Sequence, residues 1–356
     1  MDLDPSPLDR HRERGLGFRQ GQRAVHAAHR RRDDVRHRQH PVGVAAVRCS
    51  IIVPTYNRAD LLAWTLHSLV EQDLAKDDFE VLVVDDGSSD NTRERVAEFE
   101  SRLGLRYFYQ PDEGYRVAKA RNVGIAAARG VVCVLVDSGV LLASGALRAH
   151  CEAHENAAGP LAVCGYVYAF NENNEDAVAI RASIDPFKVD ETISRFNEAR
   201  LYSDLREEFY AKYGDDFNHL PAPWLVYWTC NVSAKRSVLE AVGSFDENFK
   251  TWGGEDVELA YRLHRYGCSF ALARAAAAIH YPHEKSYERN MNDARTSYRY
   301  FAAKYGTPIT ALVVCTHFFV LNDIIINERI PSCEEFLRGR RQGSPAEGTP
   351  LNGDHG

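Results

Sequence analysis

The strongest constraint on this chain is a rhythm between residues 49 and 136, where short apolar runs and helical patterns alternate four times. CSIIVP (49–54), FEVLVV (79–84), LRYFYQ (105–110) and VVCVLV (131–136) read as strands. Between them, residues 59–72 place Leu62, Leu66, Leu69 and Val70 on one helical face. Residues 92–100 read as a shorter helix, and 115–128 as an alanine-rich helix closed by Gly130. Strands that are apolar almost throughout are buried on both faces, and this alternation builds a parallel sheet covered by helices. The expected fold class is α/β, a Rossmann-like, mostly parallel sheet flanked by helices. Ligands of such sheets bind beyond the carboxyl ends of the strands. The polar clusters PTYNR (54–58), DDGSSDN (85–91) and DSG (137–139) stand at those ends.

The flanks break the rhythm. The first 46 residues hold ten arginines, no lysine, five histidines and six acids, with neither strand nor helix period. A basic arm, a transit peptide and a disordered extension from an early start codon compete. Asp33 and Asp34 count against the transit peptide, and the disordered extension is the expectation, with folding from about residue 47. Beyond it 33 basic and 44 acidic residues remain, a balance of −11, which argues against a nucleic-acid partner. Eight cysteines form no CxxC pair and follow no secretory signal, so reduced, mostly buried thiols and a cytoplasmic location are expected. The apolar run at 309–326 is interrupted by Thr310, Thr316, His317, Asn322 and Asp323, a poor membrane span and a better buried or amphipathic helix. Residues 171–223 read as a loop-rich insertion with one or two helices around 190–213, suited to acceptor selection. A further helix is expected over 286–305, and a disordered tail from Gly339.

Each polar cluster has two readings. In DDGSSDN, an acid at a strand end can accept from a pyrimidine N–H or a ribose hydroxyl, or the cluster is a turn with a helix cap. Capping accounts for Asp90 but not for the pair Asp85–Asp86 on the strand end. In PTYNR, Tyr56 can stack on a base and Arg58 face phosphates, or both belong to a surface turn. In WGGEDVELAYRLHRYG (252–267), two glycines precede two carboxylates at the mouth of an amphipathic helix. Glu255 and Asp256 are there either as a cap or as a catalytic base with its partner. A helix N-terminus favours an ionised carboxylate.

SIIVPTYNRADLL, EVLVVDDGSSDNT, GYRVAKARNVGIAAARG and the strand into DSG, in this order and spacing, resemble the nucleotide-sugar domain of family-2 glycosyltransferases with the GT-A fold. NVSAKRSVLEAVGSFDENFKTWGGEDVELAYRL is similar to the C-terminal module shared with galactosyltransferases and chondroitin-type polymerases. The resemblance implies a donor-binding half at 47–142, an acceptor and catalytic half of the same domain at 143–310, with a helical insertion, and a C-terminal helix with a disordered tail at 311–356. It implies an inverting transfer of a hexose from a nucleotide sugar, UDP-glucose or a similar UDP-hexose, to a hydroxyl of a small molecule, an aminocyclitol or other antibiotic-type metabolite among them, or of a glycan. Pro54, Tyr56, Arg58, Asp85, Asp86, Arg121 and Asp137 would then hold the donor. Asp256 would be the base, Glu255 would hold the acceptor, and Trp252 with Gly253 and Gly254 would form a loop that closes over it.

The family's Asp-x-Asp, whose last acid ligates Mn²⁺ or Mg²⁺, is DSG here, with Gly139 in place of that acid. Asp137 and His280, with His283 nearby, are the remaining candidate ligands. Without a metal, Arg58, Lys119 or Arg121 would neutralise the leaving diphosphate. The rivals are a sugar-nucleotide-binding protein without turnover, a cell-surface polysaccharide glycosyltransferase, and a nucleotidyltransferase. The last would need a glycine-rich phosphate loop where this chain has TYNRAD.

Overall fold

The computed structural model describes residues 47–171 and 173–343, with side chains to Arg340. The expected extension at 1–46 and the end of the tail lie outside the described residues. The four strands of the opening rhythm are β1 (Cys49–Thr55), β2 (Phe79–Asp85), β3 (Leu105–Tyr109) and β4 (Val132–Val136). Between them lie α1 (Ala59–Val70), α2 (Thr92–Ala97) and α3 (Val117–Ala127). All the pairings β2–β3, β1–β2 and β1–β4 are parallel, as the apolar runs require. The two faces of β1 feed different cores. Ile51 and Val53 pack with Leu62 and Leu66 of α1, while Ile52 packs with Ala118 and Ile125 of α3. Gly124 explains the close fit of α3, because a Cβ there would lie 2.4 Å from Ile52 Cγ2.

The sheet continues past β4 in a way the rhythm does not announce. β5 (Val140–Leu142), α4 (Ala146–Asn156), β6 (Leu161–Tyr168), β7 (Asn231–Lys235) and β8 (Ser269–His280) complete eight strands in the order β3-β2-β1-β4-β7-β6-β8-β5. β7 runs antiparallel to both β4 and β6, β5 antiparallel to β8, and β6 parallel to β8. One mixed α/β sheet therefore spans both expected halves.

The insertion is more helical than expected, with α5 (Ala177–Ser183), α6 (Val189–Ala199) and α7 (Glu207–Tyr213). Ile180 and Phe196 from these helices, with Ile184 just after α5, cover Leu141 and Ile279 of β5 and β8. After β7 come α8 (Arg236–Ala241) and α9 (Glu255–Tyr266), and after β8 come α10 (Tyr287–Tyr305), α11 (Pro308–Leu312), α12 (Phe318–Asn327) and α13 (Cys333–Gly343). Two expectations are corrected here. The apolar run at 309–326 is two short helices, started by the Thr307 capping box and by His317. The tail is helical, not disordered, through Gly343, with acidic Glu334 and Glu335 in its first turn. No helix among the described residues is long and apolar enough to cross a membrane. The cysteines are free thiols, all buried except Cys315.

Candidate active site

The loops after β1 and β2 are laced together by side chains. Asn57 sits at φ 50° and its Oδ1 accepts from the Ser89 and Asp90 amides at 2.8 and 3.3 Å. The Asn57 amide donates to Ser88 Oγ at 2.8 Å. Asp90 Oδ2 accepts from the Ala59 amide at 3.1 Å and Oδ1 from the Thr92 amide at 3.1 Å, so one side chain serves the first residues of α1 and α2. Asp85 uses both oxygens to shape the turn: Oδ1 accepts from the Gly87 and Ser88 amides at 3.1 and 2.7 Å, and Oδ2 from the Tyr107 hydroxyl at 2.7 Å. Asp86 accepts from Gln110 Nε2 at 2.5 Å and the Arg116 amide at 2.9 Å. Burial raises its pKa against these bonds. Tyr56 is 46% exposed and donates to Asp112 Oδ2 at 2.9 Å. The Pro54 carbonyl accepts from Ser138 Oγ at 2.8 Å, which ties β1 to the DSG turn.

Arg121 crosses from this half to the other. It is 3% exposed on α3, and it donates through Nη1 to Glu255 Oε1 and through Nη2 to Asp137 Oδ1, both at 2.8 Å. Burial alone would lower its pKa, but Asp137 and Glu255 raise it instead. Glu255 is not a helix cap, since its side chain goes to Arg121 and the α9 cap is Gly254, without a side-chain bond. The second Glu255 oxygen is buried and has no hydrogen-bond partner among the described residues.

Asp256, half-buried beside it, accepts among the described residues only from the Val257 amide at 2.8 Å. Burial first and the Glu255 charge second push its pKa up to about 7. Val257, Leu259, Ala260, Tyr261 and Leu263 bury the side of α9 that fixes this position, while Trp252 is 38% exposed. Gly253 and Gly254 take φ 85° and 89°. A Cβ on Gly254 would come within 3.1 Å of Ser297 Cβ, so the turn is held closely against α10.

On the donor side, Arg58 is solvent-exposed at the start of α1, with Asp137 and Tyr115 as its electrostatic neighbours. Lys119 is half-buried on α3. His280 and His283 lie with ring centroids 5.3 Å apart, and neither Nδ1 has a hydrogen-bond partner among the described residues. Burial, then Arg58 and Lys285 among nearby cations, keep both rings neutral, with His283 lowered to about 4. Neutral imidazoles with a free nitrogen are what a divalent ion needs. No group of three His, Cys, Asp or Glu among the described residues is placed to hold an ion. Asp137 and these imidazoles would need substrate phosphate oxygens to complete the shell of any divalent ion.

Residues 50–241 match the model described as glycosyl transferase family 2. The chain belongs to that family. A second model, described as the N-terminal domain of galactosyltransferase, matches residues 214–285, the segment that carries β7, α9 and β8. The family member validoxylamine A glucosyltransferase of Streptomyces hygroscopicus subsp. jinggangensis is 38% identical over 263 residues, which cover 74% of this chain and 62% of that protein. The chain thus spans about three fifths of that relative's length. Among solved structures, the fold is shared with S. aureus TarS 1-349 in complex with UDP-GlcNAc, at TM-score 0.53 and 18% identity, covering 85% of this chain and 74% of that one. It is shared also with a mannosyltransferase from Pyrobaculum calidifontis in complex with GDP-Man and Mn²⁺, at TM-score 0.52 and 21% identity, covering 83% and 76%.

Sequence reasoning placed Arg121 on the donor alone and did not single out Tyr115, whose electrostatic neighbours are Glu255, Arg121, Asp137 and Asp256. The signal for Arg121 was present in AKARN, but its partners lie 16 and 134 positions away.

Proposed function

We propose that this chain is an inverting glycosyltransferase that moves a hexose from UDP-glucose or a similar UDP-hexose to a hydroxyl of a small aminocyclitol-like acceptor. The observation that carries the reading is the buried Arg121 bridge, which holds Asp137 at the DSG turn and Glu255 at the mouth of α9 in one frame, with Asp256 beside them. Asp256 takes the proton of the acceptor hydroxyl, and the raised pKa suits a base working near neutrality. The alcohol oxygen attacks the anomeric carbon from the face opposite the nucleotide. The bond from that carbon to the phosphate oxygen breaks, and its electron pair leaves with UDP. Positioning and electrostatics are sufficient, and no covalent enzyme intermediate is needed.

In this reading Tyr56, Pro54 and Asp86 hold the nucleoside, and Asp85 shapes the loop that presents Asp86. Arg58 faces the diphosphate. The unpaired Glu255 oxygen accepts from an acceptor hydroxyl, and Trp252 on its two glycines covers the sugar. Asp137 with His280 or His283 would hold Mn²⁺ or Mg²⁺ together with diphosphate oxygens. The ion would offset the charge of the leaving group.

The glucose and aminocyclitol assignments draw support from the relative named validoxylamine A glucosyltransferase. The test is incubation of the purified chain with UDP- and GDP-sugars and candidate acceptors, with EDTA or with Mn²⁺, read by mass and by the anomeric coupling constant of the product. Transfer from a UDP-hexose with an inverted anomeric centre is expected, and a retained configuration overturns the mechanism. Turnover unaffected by EDTA removes the metal role of Asp137 and His280. Donor binding without transfer to any acceptor favours the non-catalytic reading, and transfer only to oligosaccharides favours the glycan reading.

A further inference from the structure

The strand directions gather one set of side chains at one edge of the sheet. β7 runs against β4, β6 against β7, and β8 alongside β6, so the carboxyl ends of β4, β6 and β8 lie together with the start of β7. In the order β4-β7-β6-β8, this edge carries Asp137 after β4, Trp228 before β7, Phe170 after β6 and His280 at the end of β8. Neighbouring strands are about 4.8 Å apart, so the four positions form a row. Contacts tie the row to the candidate site. The Asp137 amide donates to the carbonyl of Cys230, two residues past Trp228, at 3.4 Å, and the Tyr281 amide donates to the Gly139 carbonyl at 2.8 Å. The Phe170 ring centre stands 4.8 Å from that of His280 and 6.1 Å from that of Trp228. Phe319, in the first turn of α12, stacks on Trp228 at 6.2 Å and 26°. It lies beyond residue 285, where the second family match ends.

Phe170, Trp228 and Phe319 are half-buried, and their surroundings hold them in place. Arg206 Cζ lies 5.3 Å from the Trp228 ring centre. Arg206 is itself 1% exposed and bonded to Asp204 and to the Gly165 and Val226 carbonyls. Lys285 Nζ lies 4.5 Å from the Phe170 ring centre and donates to the Asn171 carbonyl at 2.5 Å. The indole N–H of Trp228 donates to the Leu225 carbonyl at 3.0 Å, so this ring keeps no donor for a ligand. What the three rings leave to solvent is carbon surface, in a site otherwise built from carboxylates, arginines and imidazoles. Fixed apolar rings beside a few polar groups are what a small-molecule site needs. In the reading above, the nucleoside occupies the loops after β1 and β2, on the other side of β4 in the strand order. The rings therefore stand on the side left for the acceptor.

We propose that Trp228 and Phe319, supported by Phe170, form an aromatic wall of the acceptor site, against which a polyhydroxylated ring of the acceptor stacks through its C–H face. This rests on the glycosyltransferase reading above and names what its acceptor site recognises. A cyclitol or pyranose ring carries its hydroxyls around the rim and C–H bonds on its faces. The wall takes a face, and Glu255 and Asp256 take hydroxyls at the rim. The rings act on the binding of the acceptor and not on the departure of UDP.

The test measures acceptor KM, donor KM, UDP affinity and thermal unfolding in the full chain, with the donor and acceptor that the parent turns over in the panel above. Phe319→Ala is expected to raise acceptor KM about tenfold, with donor KM, UDP affinity and unfolding midpoint near parental values. Trp228→Leu is expected to raise acceptor KM at least as far. Phe319→Tyr, which keeps the ring, should keep the parental acceptor KM. A parental acceptor KM in Phe319→Ala overturns the proposal. A donor KM that rises as far as the acceptor KM overturns it too, because the wall would then hold the transferred sugar. Phe319→Tyr as impaired as Phe319→Ala also overturns it, because the loss would lie in packing and not in a ring face. Trp228 packs against the core, so a collapsed unfolding midpoint in Trp228→Leu leaves the decision with Phe319→Ala. A parent that transfers sugar while its variants keep the acceptor KM sinks the wall alone. A parent that binds UDP and transfers to no acceptor sinks the glycosyltransferase reading with it.

Discussion

The carboxylates of the two halves of the site are in opposite conditions. On the donor side Asp85, Asp86 and Asp90 each use both oxygens, on amides or on Tyr107, Gln110, Arg116 and Thr92. On the acceptor side, among the described residues, Glu255 keeps one buried oxygen without a partner, and Asp256 has a single bond to the amide beside it. A saturated carboxylate holds a loop in shape. An unsaturated buried one raises the free energy of the empty protein and is relieved when substrate arrives. The donor loops are thus assembled before binding, and the acceptor side is completed by it.

The sharpest way to break this contrast is at Asp256. Asp256→Asn is expected to lower transfer by about 10²–10⁴ while donor affinity stays near the parental value and the fold loses no stability, since the base is removed without touching the donor loops. Steady-state kinetics with nucleotide-binding calorimetry check it. Equal kinetics in parent and variant would move the base elsewhere.

Next in size is the joint between the halves. Arg121→Met leaves Glu255 buried and unpaired, and is expected to destabilise the fold by about 3 kcal/mol, as seen when one partner of a buried ion pair is removed. Asp137 is 36% exposed and adds little, because water can solvate it. Adding Glu255→Gln should restore part of the loss in urea unfolding. If the double variant is no better than the single one, the bridge is not what couples the halves.

The pH dependence comes third. Asp256 works deprotonated, and its pKa is raised to about 7, so kcat/KM should fall tenfold per pH unit below that value. Glu255→Gln removes the second cause of the rise and should move the limb to lower pH. Stability has the opposite sign. A carboxyl whose pKa is raised by folding binds its proton more tightly when folded, so its contribution is present at low pH and lost as pH rises through about 7. The loss builds up between the unfolded carboxyl value of about 4 and the folded value of about 7, so the gain of Asp256→Asn over the parent in unfolding midpoint should be larger at pH 8 than at pH 5.

The same contrast explains what could be read in the sequence. The donor half is built from contiguous segments, so β1, β2, the turn at Asp85 and the start of α2 after Asp90 were legible from apolar runs and turn residues, although the cap position itself is Asn91. The helix carrying Glu255 and Asp256 was legible for the same local reason. The Arg121 bridge was not, because it joins positions 134 apart and no local pattern marks a pair formed by topology. β8 was hidden differently. ALARAAAAIH is alanine-rich and poor in β-formers, and it is a strand because β6 and β5 pair with it on both sides. Gly165 in β6 allows that approach, since a Cβ there would lie 2.6 Å from the Ala276 carbonyl. Glu258, which no sequence reading singled out, is fully buried and paired with Arg262 and with Lys304 of α10.

The smallest expected effect tests whether the donor loops really are preassembled. Asp90 accepts from the first amides of α1 and α2 and touches no proposed substrate position. Asp90→Ala should cost about 1 kcal/mol of stability, the usual value of a helix cap, and leave kcat nearly unchanged. The remaining links between the loops, through Asn57 and Ser88, hold Tyr56 and Arg58 in register without it. A rise in donor KM of more than about threefold, with kcat unchanged, would show that register depends on this one side chain. The donor half would then be as conditional as the acceptor half, and the division drawn from the carboxylates would fail where it looks most secure.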